Sequence, residues 1–316
     1  MTAGIIEPVR CDSRNRASFV DFNHTYAAVV TRTTVTHPIA GEAVRREPVT
    51  GETHFPAGTI SANMATRASR MEEPLDGQTA IVTGASSGIG AATARVLAED
   101  GADLTIAARR EQRLESLADE IRETTDAAVA VVPTDVTDSA AVSALVEATV
   151  ERFGRLDITV CNAGLAVDEP VRDLSDEDYH LMTDVNVNGM FYTARESIPH
   201  LVETDGHLVF LGSMSGNHPR PANPVYAATK WWTRGFAISL QATLGEEDVA
   251  VSCINPTEVR TEFGSESGTP SEEEFEPGTV TESLEVADAI AYTVRQQSPN
   301  SITSLDLYRR DKLSHF

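Results

Sequence analysis

The chain has 316 residues, of which 48 are acidic and 25 basic, so its formal net charge at pH 7 is -23. A surface this acidic repels nucleic acids and anionic membranes, which excludes both as expected partners. Hydrophobic residues make up 41% of the chain, enough for a substantial core, and no apolar run approaches the roughly 18 residues that a membrane helix requires.

The first seventy residues differ in charge from the rest of the chain. They carry eight arginines and six acidic residues, a net charge of +2, whereas the remaining 246 residues carry a net charge of -25. They also lack apolar periodicity and the uninterrupted apolar stretch of a signal peptide. We interpret residues 1–71 either as a flexible, disordered extension or as upstream sequence translated from a start codon placed before Met64 or Met71. The charge difference favours the second hypothesis, and the mass of the natural protein distinguishes the two.

From Leu75 onward, short apolar runs alternate with segments of helical periodicity. Runs rich in β-branched residues indicate buried parallel strands, and apolar residues spaced three and four apart indicate amphipathic helices. This alternation, over about 235 residues, predicts one α/β domain over 72–316, a doubly wound parallel sheet of the Rossmann type with helices on both faces. The predicted strands are 79–84, 103–108, 128–133, 156–161, 207–212, 249–254 and 301–308, and the predicted helices are 88–100, 111–124, 138–153, 176–202, 224–245 and 285–296.

The first predicted strand is followed by TGASSGIG at 83–90. Glycines in a strand-to-helix turn permit a tight bend and let the backbone approach a pyrophosphate at the helix N-terminus. Because any sharp turn can require glycine, the position of the motif carries the argument: it ends the first strand and opens the first helix. The sequence therefore predicts a dinucleotide site that includes Gly84, Ser86, Ser87, Gly88, Ile89 and Gly90.

The end of the second predicted strand indicates which dinucleotide binds. NAD sites usually place a carboxylate there for the ribose 2′-hydroxyl, whereas NADP sites place an arginine for the 2′-phosphate. Here Ala108 is followed by Arg109 and Arg110, and the serines of the glycine loop can add hydroxyl donors. The alternative is that the two arginines only begin a solvated helix. In so acidic a chain we predict NADP rather than NAD, with Arg109 as the cofactor-binding residue.

Further motifs follow in an order that resembles the short-chain dehydrogenase/reductase family of single-domain oxidoreductases. CNAG at 161–164 is similar to the family's NNAG stretch, NVNG at 186–189 to its helix asparagine, and YAATK at 226–230 to its tyrosine and lysine. The resemblance covers about residues 75–310. It implies that cofactor contacts beyond the glycine loop come from Asp135, Val136, Asn162, Ala163, Gly164, Tyr226, Lys230 and Thr261.

Two positions depart from the family pattern. Cys161 replaces the first asparagine of the NNAG stretch, and Thr257 replaces a glycine beside the expected nicotinamide site, which leaves the contact to the nicotinamide carboxamide open. The three cysteines, at positions 11, 161 and 253, have no metal-ligand spacing and form no even disulfide framework. We therefore predict no metal site and free, buried thiols in a reducing cytoplasm.

Tyr226 and Lys230 carry the predicted chemistry, the proton transfer that accompanies hydride transfer to or from an alcohol carbon. A free phenol has a pKa of roughly 10, and an ammonium one helical turn along the same face can favour the tyrosinate. Lys230 is one of two lysines in a chain with 23 arginines, and its compact charge suits a tight site better than a planar guanidinium. Ser213 can hydrogen-bond the substrate oxygen, and the resemblance implies that Asn186 holds a water of a proton relay.

Substrate and assembly follow from finer resemblance. VYAATKWWTRGFAISL at 225–240 and SITSLDLYRR at 301–310 look similar to NADP-dependent 3-hydroxy acid dehydrogenases, whose substrates are small molecules. The acidic segment 257–284 fits a lid, and Arg220 or Arg260 is either a carboxylate-binding residue or a surface charge. Relatives commonly form tetramers through the two long helices, so we expect a homo-oligomer, either a tetramer or a dimer.

Two other functions remain open. A catalytically silent, cofactor-sensing protein on the same fold would have lost the tyrosine or the lysine, and both are present. A nucleotide-sugar epimerase or dehydratase would space its glycines differently and would carry a larger C-terminal region.

Acidic excess together with scarce lysine resembles the proteins of organisms that accumulate salt, where ions screen the repulsion between carboxylates.

Overall fold

The computed structural model describes residues 73–264 and 270–312, so the predicted extension 1–71 lies outside the described residues. In these two ranges, no helix is long and apolar enough to cross a membrane. The strands are β1 (Thr79–Thr83), β2 (Asp103–Ala108), β3 (Val129–Pro133), β4 (Ile158–Cys161), β5 (His207–Leu211), β6 (Ala250–Pro256), β7 (Val259–Arg260), β8 (Thr281–Glu282) and β9 (Ser304–Leu307). The helices are α1 (Gly88–Glu99), α2 (Glu111–Thr124), α3 (Ser139–Phe153), α4 (Asp176–Thr183), α5 (Met190–Thr204), α6 (Pro224–Leu244), α7 (Ser271–Glu274) and α8 (Ser283–Val294).

Seven of the strands form one sheet in the order β3-β2-β1-β4-β5-β6-β9, and every neighbouring pair is parallel. The chain moves outward from β1 to β3, then returns to the other side of β1 with β4. Such a reversal opens a crevice at the carboxyl ends of β1 and β4, where doubly wound sheets bind their ligands. The predicted Rossmann-type fold is confirmed. The strands β7 and β8 form a separate two-stranded ribbon.

Side chains on both faces of the sheet are buried, which explains the nearly continuous apolar runs of its strands. Because successive side chains of a strand point to opposite faces, Val82 packs in one core cluster and Ile81 in the other. The cluster around Val82 includes residues of α1, α2 and α8, and the cluster around Ile81 includes residues of α3, α5 and α6. Phe210, on β5, is among the largest fully buried side chains and lies in the second cluster.

The helix predicted over 176–202 is interrupted in its middle. Between α4 and α5 the chain forms a π-helical segment, Asp184–Gly189. Within this wide turn, Asn186 bonds the backbone of Leu165. The turn also packs closely, since a Cβ at Gly189 would lie 2.7 Å from Val136 Cγ2. Periodicity does not reveal such a turn, because it shifts the apolar pattern by only one residue. Wide turns of this kind occur frequently at functional sites.

Candidate active site

A cleft of about 580 Å³ lies at the carboxyl ends of β1, β2, β4, β5 and β6. It gathers predicted site residues that are up to 177 positions apart in sequence, from Gly84 to Thr261. Asn186 does not line it and lies fully buried. The predicted residues that do line the cleft are Gly84, Ser86, Ser87, Gly88, Ile89, Gly90, Arg109, Asp135, Val136, Asn162, Ala163, Gly164, Ser213, Tyr226, Lys230 and Thr261.

The glycine loop packs directly against the stretch 161–164. Gly84 has φ +67, and a Cβ there would lie 2.8 Å from Asn162 Nδ2 and 2.9 Å from Ala163 Cα. A Cβ at Gly90 would lie 2.4 Å from the carbonyl oxygen of Gly84. Asn162 Nδ2 donates to the carbonyl oxygen of Thr83 at 2.8 Å, which ties the two turns together. Only glycine fits these positions, so the loop presents bare backbone to the cleft.

The N-terminus of α1 faces this cradle. Its N-cap residue Ser87 makes no side-chain capping bond, and no acidic residue lies in the first turn. The first backbone N–H groups of a helix lack intrahelical partners and carry partial positive charge, so they attract phosphate. The bare backbone and the uncapped helix therefore fit the pyrophosphate of a dinucleotide.

The arginine that joins β2 to the glycine loop is Arg110. Its Nε donates to Ser86 Oγ at 3.0 Å, and its Nη2 donates to Ser87 Oγ at 2.7 Å. Arg109, the residue selected from the sequence, lines the same cleft. The sequence signal contained both arginines, but it could not indicate which one turns toward the serines. Arg110 also bonds Glu262, 152 positions away, a residue that no sequence signal singled out.

Tyr226 and Lys230 lie on the first turns of α6, close to the loop after β5. The helix begins at Pro224, and Asn223 caps it by accepting from the Tyr226 N–H at 3.3 Å. Lys230 Nζ lies 5.7 Å from the centroid of the Tyr226 ring and donates to the Leu211 carbonyl at 2.9 Å. Ser213 lies beside Tyr226, close enough for its side chain to lower the pKa of the phenol. The predicted tyrosine, lysine and serine therefore come together.

Burial dominates the electrostatics of this trio, and the expectation that Lys230 favours a tyrosinate stays a prediction. Burial raises the pKa of Tyr226 to about 12, against opposing effects from the side chain of Ser213 and the charge of Arg220. Lys230 is not among the described groups that lower the Tyr226 pKa. Burial lowers the pKa of Lys230 itself to about 8, and its ammonium is held by a backbone carbonyl. Tyr226 is therefore a protonated phenol at neutral pH, suited to donate a proton.

Asn186 is buried and hydrogen-bonds residues near Tyr226 and Lys230. Its Nδ2 donates to the Leu165 carbonyl at 2.8 Å and to Thr229 Oγ1 at 3.1 Å, and its Oδ1 accepts from the Leu165 N–H at 2.9 Å. A Cβ at Gly164 would lie 3.3 Å from Asn186 Oδ1 and 3.6 Å from Lys230 Nζ, so the asparagine and lysine adjoin across this glycine. The water relay implied for Asn186 stays a prediction.

The remaining predicted contacts lie around the cleft entrance and floor. Asp135 Oδ1 accepts from the N–H and the hydroxyl of Thr137 at 3.0 and 2.8 Å, which orders the turn after β3. Thr261 is buried, and its methyl would lie 3.0 Å from a Cβ at Gly88. Thr257 lines the cleft, and its buried hydroxyl has no hydrogen-bond partner among the described residues. This hydroxyl is a donor that a bound molecule can use.

Two of the three cysteines are buried, as predicted. Cys161 and Cys253 are free thiols, on β4 and β6, and burial raises the pKa of both. Cys11 lies outside the described residues. Across 73–264 and 270–312, no group of three or more histidine, cysteine or carboxylate side chains is arranged to hold a metal ion.

The segment predicted as a lid lies over the tyrosine, with residues 265–269 outside the described residues. The rings of Phe263 and Tyr226 are 5.7 Å apart between centroids. Arg260 is engaged within the segment, since its Nε donates to the Phe275 carbonyl at 3.1 Å and its Nη1 lies 3.9 Å from Glu282. Arg220 lines the cleft. Of the two candidate carboxylate-binding residues, Arg220 therefore lines the cleft and Arg260 does not.

Known proteins resemble this chain in sequence over most of the described residues. Residues 78–272 match the sequence profile of the short chain dehydrogenase family. An uncharacterized oxidoreductase from Staphylococcus epidermidis is 33% identical over 229 residues, which cover 72% of this chain and 95% of the relative.

Solved structures share the fold over most of the described chain. The 3-ketoacyl-(acyl-carrier-protein) reductase from Brucella melitensis, complexed with NADH, has a TM-score of 0.67 and 28% identity, and the match covers 74% of this chain and 98% of that one. The closed form of a serine dehydrogenase complexed with NADP⁺ has a TM-score of 0.68 and 29% identity, over 73% of this chain and 94% of that one. Similar folds therefore carry either nicotinamide cofactor.

The burial of Lys230 predicts a measurable stability cost. At pH 7 its ammonium is charged in the folded chain, with a pKa of about 8, and in the unfolded chain, with a pKa near 10.5, so the penalty is fully present. We expect Lys230→Met, which keeps the volume and removes the charge, to raise the melting temperature by about 3 °C or more at pH 7. Between pH 8 and 10.5 the folded chain releases its proton first, so this gain should shrink.

Differential scanning calorimetry at pH 7 and at about pH 9.5 measures both effects. The matched control is Lys312→Met, at the other lysine of the chain, which is ion-paired with Glu258. Its removal leaves that partly buried carboxylate unpaired, so the control should not gain stability. A Lys230→Met variant that melts below the wild type at pH 7 would contradict the burial argument.

Proposed function

The chain belongs to the short-chain dehydrogenase family of oxidoreductases, and on this premise we propose that it interconverts a secondary alcohol and a carbonyl compound with NADP(H). One observation carries the proposal: Tyr226, Lys230 and Ser213 converge in the same cleft as the glycine cradle. A nucleotide-binding protein without chemistry needs the cradle but has no use for a buried tyrosine–lysine pair.

The chain's own residues donate and accept the proton of this reaction. When bound, the nicotinamide supplies or accepts the hydride at the substrate carbon. In reduction, the Tyr226 hydroxyl gives its proton to the carbonyl oxygen, and Ser213 hydrogen-bonds the same oxygen. The Lys230 ammonium, 5.7 Å from the tyrosine ring, stabilises the phenolate left behind because the site is buried. In oxidation Tyr226 accepts the proton as a phenolate, so its hydroxyl must first release its own proton, a loss that a pKa of about 12 disfavours at neutral pH.

The preference for NADP rests on the charges at the end of β2. Arg109 and Arg110 border the glycine loop, where Ser86 and Ser87 already bond the Arg110 guanidinium. Arginine binds phosphate through directed, charge-assisted hydrogen bonds, which a ribose hydroxyl cannot match. Similar structures contain either cofactor, so the proposed preference for NADP rests on these residues and not on the comparisons.

Arg110→Ala tests this assignment. We expect the dissociation constant of NADP⁺ to rise by roughly tenfold or more, while that of NAD⁺ changes by less than about threefold, because only NADP⁺ loses a phosphate partner. Titration of both cofactors by calorimetry measures the ratio, and Arg109→Ala shows how the two arginines share the role. Arg95→Ala, which breaks an exposed pair with Glu120, serves as the control. An equal loss for the two cofactors would count against NADP.

Tyr226→Phe tests the chemistry. We expect turnover to fall by about a thousandfold or more, because the proton donor is gone, with the NADPH dissociation constant within about threefold of the wild type. Absorbance of the reduced nicotinamide measures turnover, and quenching of its fluorescence measures binding. Retained turnover would refute the mechanism. A wild type that binds NADPH but reduces no carbonyl in a broad panel would instead favour the cofactor-sensing alternative.

We infer a small 3-hydroxy acid, or the matching carbonyl acid, as the substrate. Arg220 lines the cleft, and its charge acts on Tyr226, which suits a carboxylate held near the reacting carbon. The similar serine dehydrogenase acts, by its name, on a substrate of this class. A screen at high salt should show faster turnover of 3-hydroxy acids than of their uncharged esters. Faster turnover of the esters would exclude the carboxylate contact.

We also propose a homo-oligomer, a dimer or tetramer, that works in the cytoplasm. Three large apolar side chains on α5 and α6 are exposed: Phe191, Trp231 and Ile238. Apolar surface at neighbouring positions is typical of an interface between subunits. Sedimentation equilibrium should give a mass of two or four chains, and a monomer would exclude this role for the two helices. Recovery of the protein in a membrane-free cell fraction checks the compartment.

A further inference from the structure

Glu262 joins the segment after β7 to the beginning of α2. Its carboxylate accepts a hydrogen bond from Arg110 Nη1 at 2.9 Å and from Arg113 Nη1 at 2.6 Å. The two hydrogen bonds, that from Arg113 first, hold the pKa of Glu262 below its ordinary value, so the carboxylate is charged at neutral pH. Of this group, Arg110 and Glu262 line the same cleft as the glycine loop.

The Arg110 guanidinium has all three of its nitrogens engaged. Nε and Nη2 donate to the two serines of the glycine loop, and Nη1 donates to Glu262. A phosphate that binds Arg110 therefore lies close to the Glu262 carboxylate, which is already bonded to the same guanidinium. Two anions within a few ångströms repel each other, although solvent weakens the effect because these side chains are 31–48% exposed.

The backbone on both sides of Glu262 is held by hydrogen bonds. The N–H of Thr261 donates to Ser271 Oγ at 3.1 Å, and the N–H of Phe263 donates to Thr261 Oγ1 at 3.1 Å. The Phe263 ring also packs against Tyr226. Glu262 thus lies between two anchored neighbours, and its carboxylate bonds Arg110 and Arg113.

We propose that Glu262 is a specificity-determining residue: it competes with the cofactor 2′-phosphate for Arg110 and so weakens NADP(H) binding relative to NAD(H). When the phosphate takes Arg110, Glu262 keeps its bond to Arg113, so the segment stays attached to α2. Competition for one arginine moderates the affinity for NADP(H) without removing the preference. This inference rests on the proposed dinucleotide site.

Glu262→Gln tests the competition, since glutamine keeps the size and the hydrogen-bonding oxygen and removes the charge. Calorimetric titration with NADP⁺, NAD⁺ and adenosine 2′-monophosphate measures binding without turnover. We expect the dissociation constants of NADP⁺ and of the 2′-monophosphate to fall by roughly three- to tenfold, and that of NAD⁺ to change by less than about twofold. The difference should narrow between about 0.15 M and about 2 M salt, because ions screen partly exposed charges.

The matched control is Glu120→Gln, which makes the same change in charge. Glu120 lies on α2 and is paired with Arg95 rather than with Arg110 or Arg113. The control should leave the ratio of the NADP⁺ and NAD⁺ dissociation constants unchanged, and circular dichroism should give the wild-type spectrum for both variants.

The outcomes separate the two levels of the proposal. An unchanged ratio in Glu262→Gln, or an equal gain for both cofactors, overturns the role of Glu262 and leaves the proposed function intact. Weaker NADP⁺ binding also overturns it, because Glu262 would then be holding Arg110 in place for the phosphate. A wild type that binds neither dinucleotide overturns the proposed function itself.

Discussion

The close approach of two backbone turns is the constraint on which the site depends. The reversal of strand order around β1 brings the glycine loop of 84–90 against the stretch 161–164, with no space for a side chain between them. Asn162 ties the turns by bonding the carbonyl of Thr83. With the loop in this position, α1 starts with its free N–H groups facing the cleft, and β4 and β5 deliver the residues that meet α6. A Cβ at Gly84 or Gly90 would force these parts apart.

Burial gives the second constraint, which governs the proton chemistry. Tyr226 and Lys230 both lie where solvation of charge is poor, so the pKa of the acid rises and the pKa of the base falls. The same burial that makes Lys230 costly for folding strengthens its field at the tyrosine once a phenolate forms. The other lysine of the chain, Lys312, pairs with Glu258 in the loop that borders the cleft. Lys230 thus lines the cleft, and Lys312 bonds a residue that lines it.

Arginines are clustered at one end of the cleft, although the chain as a whole is acidic. A protein with a net charge of -23 places arginines at 109, 110 and 113 around the adenosine end of the proposed cofactor site. The Glu262 carboxylate, from a distant segment, lies among these arginines. An anionic ligand bound there would be attracted by the arginines and repelled by Glu262. Exposed ion pairs contribute little to stability, so we expect these charges to add little to the stability of the fold.

The sequence by itself determined the doubly wound sheet, because two-residue and 3.6-residue periodicities report burial directly, and all seven of its strands were found within a few residues of their predictions. The short elements β7, β8 and α7 were not predicted, and the helix predicted over 176–202 contains a π-helical turn. It also determined which types of residue line the cleft, since glycine, serine, tyrosine and lysine occur at spacings that the topology gathers at one edge of the sheet. Tertiary structure alone decided that Arg110 faces the serines, that a π-helical turn holds Asn186 behind the cleft, and that Glu262 reaches two arginines across about 150 positions of chain. It also decided that burial is the largest effect on the pKa of the tyrosine. The physical reason is that periodicity reports which face of an element is buried, whereas side-chain direction, hydrogen-bond partners and desolvation depend on atoms from elements far apart in sequence.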